Sequence, residues 1–255
     1  MVNSLRLGSI HCENMSDGHN ISDKLRQHQV IPDVLPEGLD IPSSLIIEWP
    51  NTVLDAPGKE LDREETQPQP KLYLDPSPLD TYNDYVLIMT DPDLMAENDA
   101  NFGQVRHWLA TGISSRDGGE LVIPSEGIIS PYVGPAPLPN YITPRPHRYT
   151  FILARPSTAS ENVEITPAEL RQLQKPYPAA MSGNQQPDVQ DLKDRWGFNA
   201  YQLIKDKGLR VEAASYMRVG GTLKSAAANI ALTGQAVVNK ASATANLPSG
   251  QNIGR

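Results

Sequence analysis

Residues 84–93 read DYVLIMTDPD, and this stretch decides the fold. Tyr85 to Met89 are apolar without interruption, and Thr90 then leads into two carboxylates, Asp91 and Asp93, around Pro92. A short apolar run bounded by breakers reads as a strand, and the same reading fits VRHWLATG at residues 105–112. That second run holds a histidine, His107. Charge buried without a partner is costly, so acids closing one strand and an imidazole inside the next need a structural or a functional explanation. Turn chemistry is one: Asp side chains cap turns and Pro fixes φ.

The chain has 255 residues, 39% of them hydrophobic, with 23 prolines clustered between apolar runs. Many short strands joined by turns fit this better than a helical bundle. Net charge is −8 and no basic stripe is visible, which argues against a nucleic-acid partner, because that affinity rests on neutralised phosphates. A single cysteine, Cys12, allows no intrachain disulfide and favours a reducing compartment. The first residues lack the apolar core of a secretory signal, and no run approaches the roughly 18 residues of a transmembrane segment. Cytoplasmic localisation is the expectation, and the sequons at Asn14 and Asn20 read as chance.

Three regions are expected: 1–40, polar with a short helix capped by Ser22 and ended by Pro32; 41–219, the folded domain; and 220–255, an alanine-rich tail. In the tail, Leu223, Ile230 and Val237 give a weak amphipathic helix over 222–241. Strands are predicted at 43–49, 71–74, 84–91, 105–113, 147–155 and 209–219. Thr166, Pro167 and Glu169 form a capping signal for one helix. A second is predicted over 188–207, stopped by Gly208. Strands dominate and helices come late, so the fold class is a β-rich α+β sandwich.

Common catalytic signatures are absent: no G-x-S-x-G, Walker A, G-x-G-x-x-G, H-E-x-x-H or C-x-x-C occurs. Of five histidines, His11, His19 and His28 fall in polar sequence and read as solvated, whereas His107 and His147 sit in apolar strands. An imidazole beside a carboxylate is held in one tautomer and its pKa rises, and a cationic imidazole suits a phosphate or carboxylate. Separate hydrogen-bonded residues at strand ends are the alternative. Two histidines and one acid could also hold iron or zinc, but H-x-H and H-x-x-x-H spacings are missing, so no metal and no cofactor is assigned.

TDPD after an apolar strand, a histidine in the next strand, YVGPAP at 132–137 and HRYTFIL at 147–153 together resemble the phosphatidylethanolamine-binding protein (PEBP) family. The likeness spans residues 22–219 and leans toward the fungal carboxypeptidase Y inhibitors. It implies a large antiparallel sheet packed on a smaller one, with peripheral helices and a small anion pocket. By motif, Asp91, His107, Tyr132, Pro137, His147 and Tyr149 would line that pocket, with Asp93 and Arg148 behind them. Leu94, Met95, Val105 and Leu138 depart from the family pattern and make the rim more apolar. Arg106, Arg145 and Arg148 are candidate partners for an anion.

The function this implies is binding of an anionic small molecule, either a phospholipid head group or a dicarboxylate. The protein would then be non-catalytic or ancillary, for example beside a biosynthetic cyclase in fungal maleidride biosynthesis. The alternative is inhibition of a serine carboxypeptidase or a kinase, using the segment 21–34. A weak hydrolase or lyase with His107 or His147 as general base is the third reading.

Overall fold

The computed structural model describes residues 17–76, 84–93, 98, 103–137, 145–157, 163–175 and 194–221. The expected tail helix lies outside the described residues, as do Leu94, Met95, Leu138 and Tyr141. Among the described residues, nine strands form two antiparallel sheets. The small sheet has the order β2 (Val53–Leu54), β1 (Ser44–Glu48), β3 (Lys71–Asp75). The large sheet runs β6 (Leu121–Val122), β5 (Val105–Ser115), β4 (Tyr85–Asp91), β8 (His147–Pro156), β9 (Leu209–Val219), and β7 (Ile128–Ser130) also pairs with β5.

All seven residues of β4 are buried, which explains why its sequence runs apolar instead of alternating. Val86 and Ile88 face one cluster, with Ile152, Ala214 and the helices. Leu87 and Met89 face the other, with Leu45, Ile47 and Leu72 of the small sheet. The central strands therefore have no solvent face.

The helices lie on the first face: α1 (Asp17–Gln27), the single turn α2 (Val30–Asp33), α3 (Pro167–Leu173) and α4 (Ala200–Asp206). Two expectations are corrected here. The first helix begins at Asp17, so Ser22 lies inside it and is not its cap. Ile21, Leu25, Val30, Ile31 and Val34 are buried in the same cluster as Val86. Of the second predicted helix, residues 188–193 lie outside the described residues, 194–199 are not helical, and a helix runs from Ala200, where Asn199 Oδ1 accepts from Gln202 N at 2.9 Å. Just before it, Phe198 and Gln104 exchange backbone hydrogen bonds of 2.9 and 3.0 Å, which holds that stretch extended. The capping box forms as predicted: Glu169 Oε2 accepts from Thr166 N at 2.8 Å, and Lys207 Nζ reaches Glu169 Oε1 at 2.5 Å.

Gly197 accounts for the non-helical stretch just before Ala200. It has φ +69°, and a Cβ there would sit 2.5 Å from the Lys175 backbone nitrogen. Gly197→Ala is expected to cost about 1–3 kcal/mol, from left-handed strain and backbone collision together. Urea unfolding checks this, and an unchanged midpoint would refute it.

Candidate functional site

The site lies at the end of β4 where the two acids leave the sheet. Asp91, on the same face as Met89, accepts from His147 Nδ1 at 2.9 Å through Oδ2 and from Asp93 N at 2.8 Å through Oδ1. Both residues of the Asp91–His147 pair are buried. Next to it, Asp93 takes a bidentate contact from Arg148: Nε to Oδ2 at 2.8 Å and Nη2 to Oδ1 at 2.7 Å. Arg148 Nη1 continues to Asp33 Oδ2 at 2.7 Å and to the His28 carbonyl at 2.8 Å. The DPD motif thus does two jobs. Asp91 sets an imidazole, and Asp93 clamps β8 to the α1–α2 corner.

His107 reaches this face through a break in register. Met89 pairs with Trp108 and Thr90 with Arg106, so His107 is the extra residue of a β-bulge. A bulge re-aims a side chain. Here it brings His107 onto Tyr149, edge to face with ring centroids 5.0 Å apart. Tyr149 in turn lies nearly parallel to His147, 6.3 Å between centroids. His107 Nδ1 donates to the Val133 carbonyl at 2.8 Å, which leaves the lone pair of the neutral ring on Nε2.

The two imidazoles are shifted in opposite directions. Burial lowers the His147 pKa, but the Asp91 charge and hydrogen bond, with Asp93 behind them, outweigh it, so the pKa is raised. Burial also dominates at His107, where the charges of Arg195 and His147 add to it, and this pKa is lowered despite Asp91. The Asp91 pair therefore favours the charged form of His147, while burial favours the neutral form of His107. Burial holds the Tyr149 phenol well above its usual range, and the Asp91 charge adds to this, so the hydroxyl remains a donor.

Two polar atoms in this cluster are unmatched. His147 Nε2 is buried with no hydrogen-bond partner among the described residues. Tyr149 Oη faces the Asp91 carboxylate and the Ala136 backbone without closing a hydrogen bond to either.

The remaining expected residues are placed as follows. Tyr132 Oη donates to the Thr66 carbonyl at 2.6 Å, and its ring packs on Trp108, so it supports the core and not the imidazoles. Pro137 is buried in the 134–137 loop, which Gln67 pins by donating to the Pro135 carbonyl at 2.9 Å. Arg106 donates to Ser130 Oγ and the Asp194 carbonyl, both at 2.8 Å, and lies over the Phe198 ring. It is committed to the opposite face. Arg148 is committed to Asp93 and Asp33.

His28 is not solvated as expected: its Nδ1 lies 2.6 Å from Tyr216 Oη. Arg195 was not foreseen at all. Its Nη1 reaches the carbonyls of Arg106 and His107, each at 3.3 Å, and of Pro131 at 3.0 Å, bracing the bulge from 88 residues away. Among the described residues, no group of three or more His, Cys, Asp or Glu is placed to hold a metal ion. Among the same residues, no helix is long and apolar enough to cross a membrane.

Architecture and cluster together define a two-sheet antiparallel β-sandwich with peripheral helices and a buried Asp–His pair at one sheet end. The chain belongs to the phosphatidylethanolamine-binding protein family, whose family model matches residues 51–203. A curated relative from Saccharomyces cerevisiae, "Uncharacterized protein YLR179C", is 25% identical over 211 residues, covering 78% of this chain and 92% of that protein. Among solved structures, a carboxypeptidase Y inhibitor complexed with its cognate proteinase aligns with TM-score 0.61 at 16% identity, over 82% of this chain and 98% of that one. A phosphatidylethanolamine-binding protein from Plasmodium vivax aligns with TM-score 0.56 at 18% identity, over 78% and 97%. At these identities the likeness is one of fold.

Proposed function

We propose that this protein is a non-catalytic binder of a small oxyanion, a phosphate head group or a carboxylate, held by His147 with Tyr149 and His107 beside it. The observation that carries this reading is the orphaned Nε2 of His147, buried on a ring whose other nitrogen is fixed by Asp91. A protonated imidazole with one unmatched N–H is a charge-assisted donor awaiting an acceptor. Tyr149 adds a hydroxyl donor, while the lone pair on His107 Nε2 suits an O–H or N–H of the ligand. Hydrogen phosphate and ethanolamine phosphate both offer that combination.

The test is a titration with O-phosphoethanolamine and, separately, with an alkylmaleate dicarboxylate, read by calorimetry and by the His147 ring resonances. Binding to the parent is expected, with a roughly tenfold or larger loss in His147→Ala, since a charged hydrogen bond is worth about 1.5–3 kcal/mol. A dicarboxylate that binds while the phosphate ester does not would support an ancillary biosynthetic role. If neither ligand binds, or His147→Ala binds as the parent does, the reading fails.

Carboxypeptidase inhibition is the competing role. The apolar side chains of residues 21–34 that were expected to serve it are packed in the core.

A further inference from the structure

We infer that a second oxyanion site, one that takes a phosphate group, lies in the cavity between the end of α1, the start of β8 and the end of β9. This cavity of about 430 Å³ is lined by Arg26, His28, Arg145, His147, Arg148 and Arg218, and among the described residues Asp93 is the one carboxylate in its lining. Four arginines thus line one hollow of a chain whose net charge is −8. The inference does not depend on the function proposed above. His147 is a shared wall, but His107 and Tyr149 do not line this cavity.

Arg218, Arg26 and His28 keep donor capacity toward the cavity. Asp93 is occupied by both arms of the Arg148 fork. Arg218 Nε donates to the Gly58 carbonyl at 3.0 Å and Nη2 reaches Glu60 at only 3.4 Å, while Nη1 has no protein partner among the described residues. Arg26 is held by Glu37 and Asp23, neither of which lines the cavity, and its side chain is 42% exposed. Its two terminal nitrogens each keep one N–H beyond those contacts.

The tautomer of His28 follows from the hydrogen bonds around it. Tyr216 Oη gives its single hydrogen to the Lys24 carbonyl at 2.9 Å, so His28 Nδ1 must donate to Tyr216 Oη. Nε2 is left for the cavity. Gly58 leaves room for this arrangement, because a Cβ there would lie 2.6 Å from Tyr216 Oη.

The groups facing His28 are Arg218 and Tyr216 from β9, Arg148 from β8 and the Lys24 carbonyl from α1. Burial and then the charges of Arg218 and Arg148 lower the His28 pKa. A bound anion cancels those charges and raises it. Binding therefore takes up a proton and tightens as pH falls toward 6.

The experiment titrates the full chain with inorganic phosphate at constant ionic strength, following the His28 ring resonances. A saturable shift is expected, with affinity reduced roughly tenfold or more in Arg26→Gln/Arg218→Gln. Arg26→Gln alone, at an exposed position, should weaken it several-fold and guards against a misfolded double variant. His107→Ala should leave the His28 response intact, which separates this site from the one proposed above. Parallel arms use O-phosphoethanolamine and vesicles containing phosphatidic acid. A response to the soluble ester assigns a free phosphate compound, and a response to vesicles alone assigns a lipid head group. A His28 signal that no phosphate source moves, or that moves equally in the arginine variants, overturns the inference.

Discussion

Arg148→Ala is expected to destabilise the protein by about 3–5 kcal/mol, the largest effect of any single change at this end of the sheet. Arg148 is buried, and three of its nitrogens hold Asp93, Asp33 and the His28 carbonyl at 2.7–2.8 Å. Removing it leaves Asp93 buried at 5% exposure with its charge uncompensated. Much of the loss is therefore the cost of the abandoned carboxylate. Arg148→Ala/Asp93→Ala should accordingly recover part of the stability, although Asp93 also accepts from the Asn98 and Arg148 backbone nitrogens. Chemical unfolding of the two single variants and the double variant gives the coupling energy. A cost below about 1 kcal/mol for Arg148→Ala would mean the clamp does not hold the α1–α2 corner.

Asp91→Asn should lower the His147 pKa below the ordinary imidazole value, because burial and the Arg148 charge remain while the carboxylate that outweighs them is gone. Its effect on stability depends on pH, with a definite sign. His147 has a raised folded pKa, so its contribution is fully present below the unfolded value of 6.5 and is lost as pH rises through the folded one. Asp91 is lowered: burial alone would raise it, but His147 and the Asp93 amide outweigh burial. Its contribution is present above 3.8 and is lost as pH falls through the folded value.

Parent and Asp91→Asn should therefore differ most between these two values, by on the order of 2 kcal/mol, since a charged hydrogen bond becomes a neutral one. They should converge at higher pH. The His147 resonance titrated from acid to base, together with unfolding at several pH values, measures both effects. An unchanged His147 midpoint would show that Asp91 does not set its charge. Oxyanion affinity should fall with the same midpoint, which links this variant to the proposed function.

Much of the frame was legible along the chain. The unbroken run from Tyr85 to Met89 required cover on both faces, and the structure supplies helices on one and the small sheet on the other. Thr166 to Glu169 capped a helix because all the partners lie within one turn. The acids ending β4 announced a polar sheet end, and HRYTFIL placed a second histidine there.

What sequence reasoning missed was long-range or depended on register. His28 looked solvated because its neighbours are polar, yet its partner Tyr216 is 188 residues away. Tyr132 looked like a pocket residue by motif, but its hydroxyl turns to Thr66. Residues 194–199, inside the helix expected over 188–207, are not helical because Gly197 packs against Lys175 and Phe198 pairs with Gln104, contacts that no local propensity encodes.

By itself, then, the sequence determined the six longer strands, the capped helix and the residue types that gather where β4 ends, since periodicity, capping and breakers act over a few residues. The two- and three-residue strands β2, β6 and β7 were not foreseen. Only the tertiary structure decided which histidine is pushed toward its charged form. Alternation alone would have put His107 and Trp108 on opposite faces; the bulge turns His107 onto Tyr149, Arg195 holds it there, and Asp91 is left to His147. That assignment depends on burial and charge from segments far apart in the chain, and these come together only when the sheet closes.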